Sequence, residues 1–87
     1  MRQPWGGIWD LDNDPAGNVH HIALHGLTKQ EVEDVLLDPQ IPESMSQSSG
    51  RPCKIGHTST GRQIIVVWED VTYDPRVVYP VTAYEIT

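Results

Sequence analysis

The run Ile64-Ile65-Val66-Val67-Trp68 is apolar at every position. Successive side chains of a strand point to opposite faces, so a run of this kind belongs inside a sheet, covered at least in part on each side. Residues 62–69 are therefore expected as the central strand. Ser59-Thr60-Gly61 ahead of it carries the residues of a tight turn, and residues 53–58 supply the partner strand of a hairpin. A loop through Asp70, Tyr73, Asp74 and Pro75 leads to a last strand over residues 77–85. Pro80 has no N–H to donate to a ladder, so that strand is expected at an edge or bulged at the proline.

Helix signals fill the first half. Thr28-Lys29-Gln30-Glu31 is a capping box, in which the Thr28 hydroxyl accepts the Glu31 N–H and the Glu31 carboxylate accepts the Thr28 N–H. Leu27 and Val32 form the matching hydrophobic staple, Val32, Val35 and Leu36 give an apolar stripe, and Asp38-Pro39 stops the helix. A first helix is expected over residues 15–25, opened by Asp12-Asn13-Asp14-Pro15, apolar at Val19, Ile22 and Ala23, and closed by Gly26 as a left-handed cap. The two helices then meet through His25-Gly26-Leu27 with almost no loop. Ile8-Trp9-Asp10 reads as a short extended entry, and the serine-rich residues 39–52 as an exposed loop with room for a short extended stretch.

Eighty-seven residues make one domain, residues 1–87. A chain this short buries only about 60–65 % of the surface its unfolded form exposes, so a second copy would add useful burial and a homo-dimer is energetically reasonable. Cys53 is the single cysteine, which excludes an internal disulfide framework and fits a reducing compartment. No stretch approaches the roughly 20 apolar residues of a membrane span, and Met1 to Gly7 lacks the apolar core of a signal peptide. A soluble cytoplasmic protein with no membrane association is expected.

Charge is unevenly spread. Of the formal net −6, all falls on residues 1–43, with eight acidic against two basic side chains, whereas residues 44–87 hold four of each. From Gly50 to Trp68 there is no carboxylate, but Arg51, Lys54, Arg62 and His57 all lie there. An acidic chain repels polyanions overall, so nucleic acid would have to be met at this segment. Arg62, following Gly61, offers a planar guanidinium for bidentate phosphate contact, and Arg51 and Lys54 extend the patch if the strands project them to one side. The alternative is a solvated hairpin end.

His21 and His25 stand one helical turn apart, at a spacing that can chelate a metal, and His57 and Cys53 could complete a set. Nothing local fixes that geometry, Ile22 stands where a metalloprotease needs glutamate, and no metal or other cofactor is expected. His25 alone, beside the Gly26 cap, is either a helix-terminal residue favoured by the macrodipole or a proton-transfer group. Cys53, with no base near it in sequence, reads as a structural thiol.

Taken in order, Ile8-Trp9-Asp10, Asn18, His25-Gly26-Leu27-Thr28, Asp38-Pro39 and Gly56-His57-Thr58 with Gly61-Arg62-Gln63-Ile64-Ile65-Val66-Val67 resemble the BrnT family of ribonuclease toxins. The resemblance spans residues 8–85. It implies a RelE/BrnT-like α+β fold with two N-terminal helices packed on a small antiparallel β-sheet, a metal-independent endoribonuclease activity on RNA, and a small DNA-binding antitoxin as partner. Carried onto this chain, it makes His25 the base or acid, Arg62 and Lys54 phosphate contacts with Arg51 beside them, and His57 a further acid. Three departures bear on activity: Leu24 precedes His25 where the family has a basic residue, Tyr84 replaces an arginine expected to contact RNA, and the chain is acidic. Tyr84 is then a substitute donor, and the nuclease activity is expected to be weakened or lost. A non-catalytic protein-interaction module on the same scaffold is the alternative.

Overall fold

A computed structural model describes residues 6–73 and 75–86. In chain order the elements are β1 (Gly6–Gly7), α1 (Asn18–Leu24), α2 (Lys29–Leu36), β2 (Ser44–Met45), β3 (Pro52–His57), β4 (Gln63–Tyr73) and β5 (Arg76–Glu85). They build one five-stranded sheet in the order β1-β5-β4-β3-β2. β4 is the middle strand, as its run of apolar residues requires. Its even-numbered residues Ile64, Val66 and Trp68 face the helices and are fully buried, joining Ile22, Leu27, Val32, Val35, Leu36, Val78 and Ala83 in the core.

The expected architecture of two N-terminal helices on a small antiparallel sheet does not hold. Strand outweighs helix, the sheet is mixed, and the helices are short segments of seven and eight residues in mid-chain. The physical reason lies in β1. Gly6 and Gly7 pair with Val77 and Val78 in parallel, an arrangement that needs a long crossover, and everything between the two strands supplies it. Ile8 extends the contact by donating its N–H to the Val78 carbonyl at 2.9 Å. The expected entry strand at Ile8-Trp9-Asp10 thus lies one step earlier, and residues 1–5 lie outside the described residues.

α1 is shorter than its sequence signals imply because the chain before it is used otherwise. Asp14 accepts the Ala16 N–H on its side chain and the Gly17 N–H on its backbone carbonyl, making a turn where a first helical turn was expected. Asn18, almost wholly buried, then opens the helix. It exchanges hydrogen bonds with Asp10, each side chain accepting the other's backbone N–H at 2.9 Å, and its amide donates to the carbonyls of Ile8 and Pro80. Tyr79 donates its hydroxyl to the same Asp10 carboxylate. This clasp joins the entry segment, α1 and β5, and it explains why α1 buries Asn18 and Ile22 rather than Val19 and Ala23.

The end of α1 and the start of α2 follow the sequence closely. Gly26, at φ 77°, donates to the Ala23 carbonyl, and Leu27 donates to the Ile22 carbonyl, which closes the last turn with two bonds that need a left-handed residue. Leu27 and Ile22 both enter the core, the apolar contact that accompanies such a closure. Thr28 caps α2 with the full capping box, and Val32, Val35 and Leu36 are fully buried.

Beyond α2, the serine-rich segment contains β2, which pairs with Pro52 and Cys53. The hairpin β3–β4 has its turn where expected, with Gly61 at φ 87°. β4 continues past Glu69 to Tyr73, consuming most of the anticipated loop, while Asp74 lies outside the described residues. Pro80 pairs with Trp68 beside a register shift, so the strand is bulged at the proline as expected. No helix among the described residues is long and apolar enough to cross a membrane.

Candidate functional site

Strand alternation divides the basic segment. Arg51 lies just ahead of β3, and Lys54, three residues on, is an odd number of alternations away, so an extended chain does not project the two to one side. Lys54 turns toward the helices and is 2 % exposed, its ammonium donating at 2.9 Å to the carbonyls of Leu36 and Asp38. Those carbonyls end α2, where a cation is favoured by the helix dipole and the unpaired backbone acceptors. Burial pushes the Lys54 pKa below its ordinary value, against the pull of Glu43 and Asp38. Lys54 is therefore a structural cation, and its expected role as a phosphate contact is not compatible with this position.

Arg51 lies at the other end of β3 from the hairpin turn, about 20 Å of strand away at roughly 3.3 Å per residue. It pairs with Glu69 at 2.9 Å, both side chains well exposed. Arg62 stands at the turn end. The three cations do not converge.

A different grouping does form where α1 meets α2. Arg62 reaches from the start of β4 to donate to the Gly26 carbonyl at 2.8 Å, to Glu31 at 3.3 Å and to Glu85 at 3.2 Å. His25, the C-cap of α1, has its ring centroid 5.9 Å from that of Tyr84 and 5.5 Å from that of His21. His25, Arg62 and Tyr84, far apart in sequence, thus share one corner of the molecule. His57 pairs with Gln63 across the hairpin at the same end of the sheet and is exposed.

Electrostatics at this corner are set by compensation. The hydrogen bond to Glu85, with the charge of Glu31, raises the Arg62 pKa further, so the guanidinium is permanently charged and already matched by two carboxylates. Glu31 is nearly buried and serves as a hub. It completes the capping box, accepts from Thr60 Oγ1 at 2.8 Å and pairs with Arg62, and the Thr60 bond above all holds its pKa below the ordinary range. Asp34, one turn on, accepts both the backbone N–H and the hydroxyl of Ser59. Two carboxylates of α2 thereby fasten the β3–β4 turn. The turn is also braced internally by Thr58, whose hydroxyl accepts the N–H groups of Thr60 and Arg62.

Many of the residues singled out in the sequence therefore have structural work. Asp10 and Asn18 form the clasp, Gly26 and Thr28 shape the helix corner, and Thr58, Gly61 and Arg62 build the turn and tie it down. Neither the hub role of Glu31 nor the Asp10–Tyr79 bond had a local signal, because the partners lie 29 and 69 residues away.

On the face of the sheet away from the helices, a groove of about 390 Å³ runs between the β2 segment and the β3–β5 strands. Met45, Cys53, Ile55, Ile65 and Tyr84 supply its apolar lining, and the segment from Ser44 to Ser48 its polar rim. Cys53 is buried, and that burial raises its thiol pKa, as fits a structural residue. Among the described residues, no three His, Cys, Asp or Glu side chains are placed to hold a metal ion.

No protein-family model, no curated protein and no solved structure matches this chain.

Proposed function

We propose that this chain is the toxin-like component of a toxin–antitoxin pair and acts weakly on single-stranded RNA by metal-independent transesterification. The observation that supports it is the meeting of His25, Arg62 and Tyr84 at one corner, from three separate elements. In the proposed chemistry His25 takes the proton of a ribose 2′-hydroxyl, and the resulting oxygen attacks the adjacent phosphorus. The P–O5′ bond breaks and the 5′-oxygen takes a proton from water, giving a 2′,3′-cyclic phosphate and a 5′-hydroxyl end, while His25 releases the proton it took to solvent. Arg62 faces the phosphate charge as it grows, and the Tyr84 hydroxyl donates a hydrogen bond where the family's arginine would stand. Compensation of Arg62 by Glu31 and Glu85 explains why the activity would be weak, because a phosphate must compete with two carboxylates already in place.

Salt dependence of binding tests this reading. With Lys54 buried and Arg51 at the far end of the strand, one phosphate contact is expected, giving a log–log slope of about −0.7 for a single-stranded RNA. Arg62→Ala should remove it, and Tyr84→Arg should add a second phosphate contact and steepen the slope. If neither the wild type nor Tyr84→Arg binds in a salt-dependent way, the reading fails. In the genome, a neighbouring reading frame is expected to encode a small DNA-binding antitoxin, and a cytoplasmic location goes with this proposal.

One observation favours the second reading, a non-catalytic protein-interaction module. Every Lys and Arg among the described residues is engaged within the chain: Lys29 with Asp12, Arg51 with Glu69, Lys54 with two carbonyls, Arg62 with Glu31 and Glu85, and Arg76 with Glu43 and Asp70. Such a surface suits a cationic protein partner better than a polyanion.

A further inference from the structure

We propose that the groove beside Tyr84 is a nucleobase subsite that holds one base of a single-stranded RNA whose phosphate lies at His25 and Arg62. This inference rests on the RNA reading above and names where that substrate's specificity would come from. Tyr84 is the link. It lines the groove, and its ring lies 5.9 Å from the His25 ring, so a nucleotide at the corner has the groove as its neighbour.

The groove's chemistry fits a base and not a phosphate. Its lining contains no charged side chain. An anionic group placed there would lose hydration without gaining a cation, whereas a neutral planar ring loses little. Tyr84, half exposed, offers an aromatic face for stacking, and Ile55 and Ile65 an apolar floor. Ser44, Gln47 and Ser48 add hydroxyl and amide groups able to donate to and accept from the edge of a base. An aromatic platform with hydrogen-bonding groups at its rim is how single-stranded RNA is commonly read, because unpaired bases can be splayed out and stacked. The proposal also gives Met45 and Ile55 a role, since both are large apolar side chains left exposed at the groove.

The test uses amide ¹H–¹⁵N spectra of the full chain with two probes. One is adenylyl-adenosine carrying a 2′-O-methyl group, which cannot be cleaved, and the other is inorganic phosphate. The dinucleotide should shift the amides of Ser44 to Gln47, Ile55 and Ile65 together with those of Gly26 and Arg62, along one saturation curve. Phosphate should shift only Gly26 and Arg62. Ile55→Glu, at an exposed strand position, should weaken the dinucleotide by about tenfold, the loss expected from one base's stacking, and leave the phosphate titration unchanged. Dinucleotide shifts confined to Gly26 and Arg62, or none at all, would overturn the subsite, as would an Ile55→Glu protein that binds like the wild type. Metal-free RNA cleavage is scored separately. Cleavage without groove shifts removes only the subsite, while groove shifts without cleavage keep the subsite and remove the nuclease reading.

Discussion

Glu31 is the residue whose replacement should reveal most about how the corner is held. Its side chain is 10 % exposed and accepts hydrogen bonds from Thr60 Oγ1 at 2.8 Å, the Thr28 N–H at 3.2 Å and Arg62 Nη1 at 3.3 Å. Hydrogen bonds to a charged group contribute about 1.5–3 kcal/mol, and loss of a helix cap about 0.5–2 kcal/mol, with the terms overlapping in one residue. Glu31→Ala should therefore destabilise by about 2–4 kcal/mol. Glu31→Gln keeps the shape and one acceptor oxygen, and should cost about 1–2 kcal/mol. Urea unfolding followed by tryptophan fluorescence reads this directly. At a slope of about 1 kcal/mol/M, Glu31→Gln should lower the midpoint by about 1–2 M with the slope unchanged. Acidification supplies an internal control. Because the folded carboxyl titrates below its ordinary value of 4.5, its contribution is complete above that pH and is lost as pH falls through the folded value. The gap between wild type and Glu31→Gln should close on acidification. Midpoints that do not move, or a gap that stays constant from neutral to strongly acidic pH, would refute the hub.

Two further perturbations probe the clasp at Asp10. A Cβ at Gly17 would lie 2.7 Å from the Asp10 Cβ, so Gly17→Ala should destabilise by about 1–3 kcal/mol, measured as a lowered thermal midpoint. Tyr79, hydrogen-bonded to Asp10, has its pKa pushed up to about 12, so its contribution is complete below its ordinary value of 10 and is lost as pH rises through the folded value. Ultraviolet absorbance should show a late phase from Tyr79, and Tyr79→Phe should remove both that late phase and the associated alkaline loss of stability.

What the sequence made legible was local. The capping box at Thr28 and Glu31, the left-handed closure at Gly26 and the turn at Gly61 all depend on residues within one or two turns of each other, and all stand where the sequence puts them. β4 was legible for a different reason: five apolar residues in succession have only one kind of place in a sheet. The failures are non-local. Parallel pairing of Gly6 and Gly7 with Val77 and Val78 crosses seventy residues and carries no pattern of its own. The first helix is expected too long because Asp12-Asn13-Asp14-Pro15 looks like a helix start, when Asp14 makes a turn and the helix opens only at Asn18, which is committed to Asp10, Ile8 and Pro80. As for the candidate site, His25 and Arg62 stand out from their own sequence context and Tyr84 only through the resemblance, but the basic segment was misleading as a surface. A count of charges along a chain ignores strand alternation, which sends Lys54 into the core, and ignores carboxylates such as Glu31 and Glu85 that the fold brings to Arg62.

The proposed chemistry of the His25 corner on RNA is tested most directly by one measurement. End-labelled single-stranded RNA is incubated with wild type and His25→Ala in EDTA, and the product ends are identified. The account predicts slow cleavage by the wild type to a 2′,3′-cyclic phosphate and a 5′-hydroxyl end, with a rate lowered by about 10²–10⁴ in His25→Ala, the range for loss of a general acid or base. Equal rates for the two proteins, or no cleavage by the wild type, would contradict it.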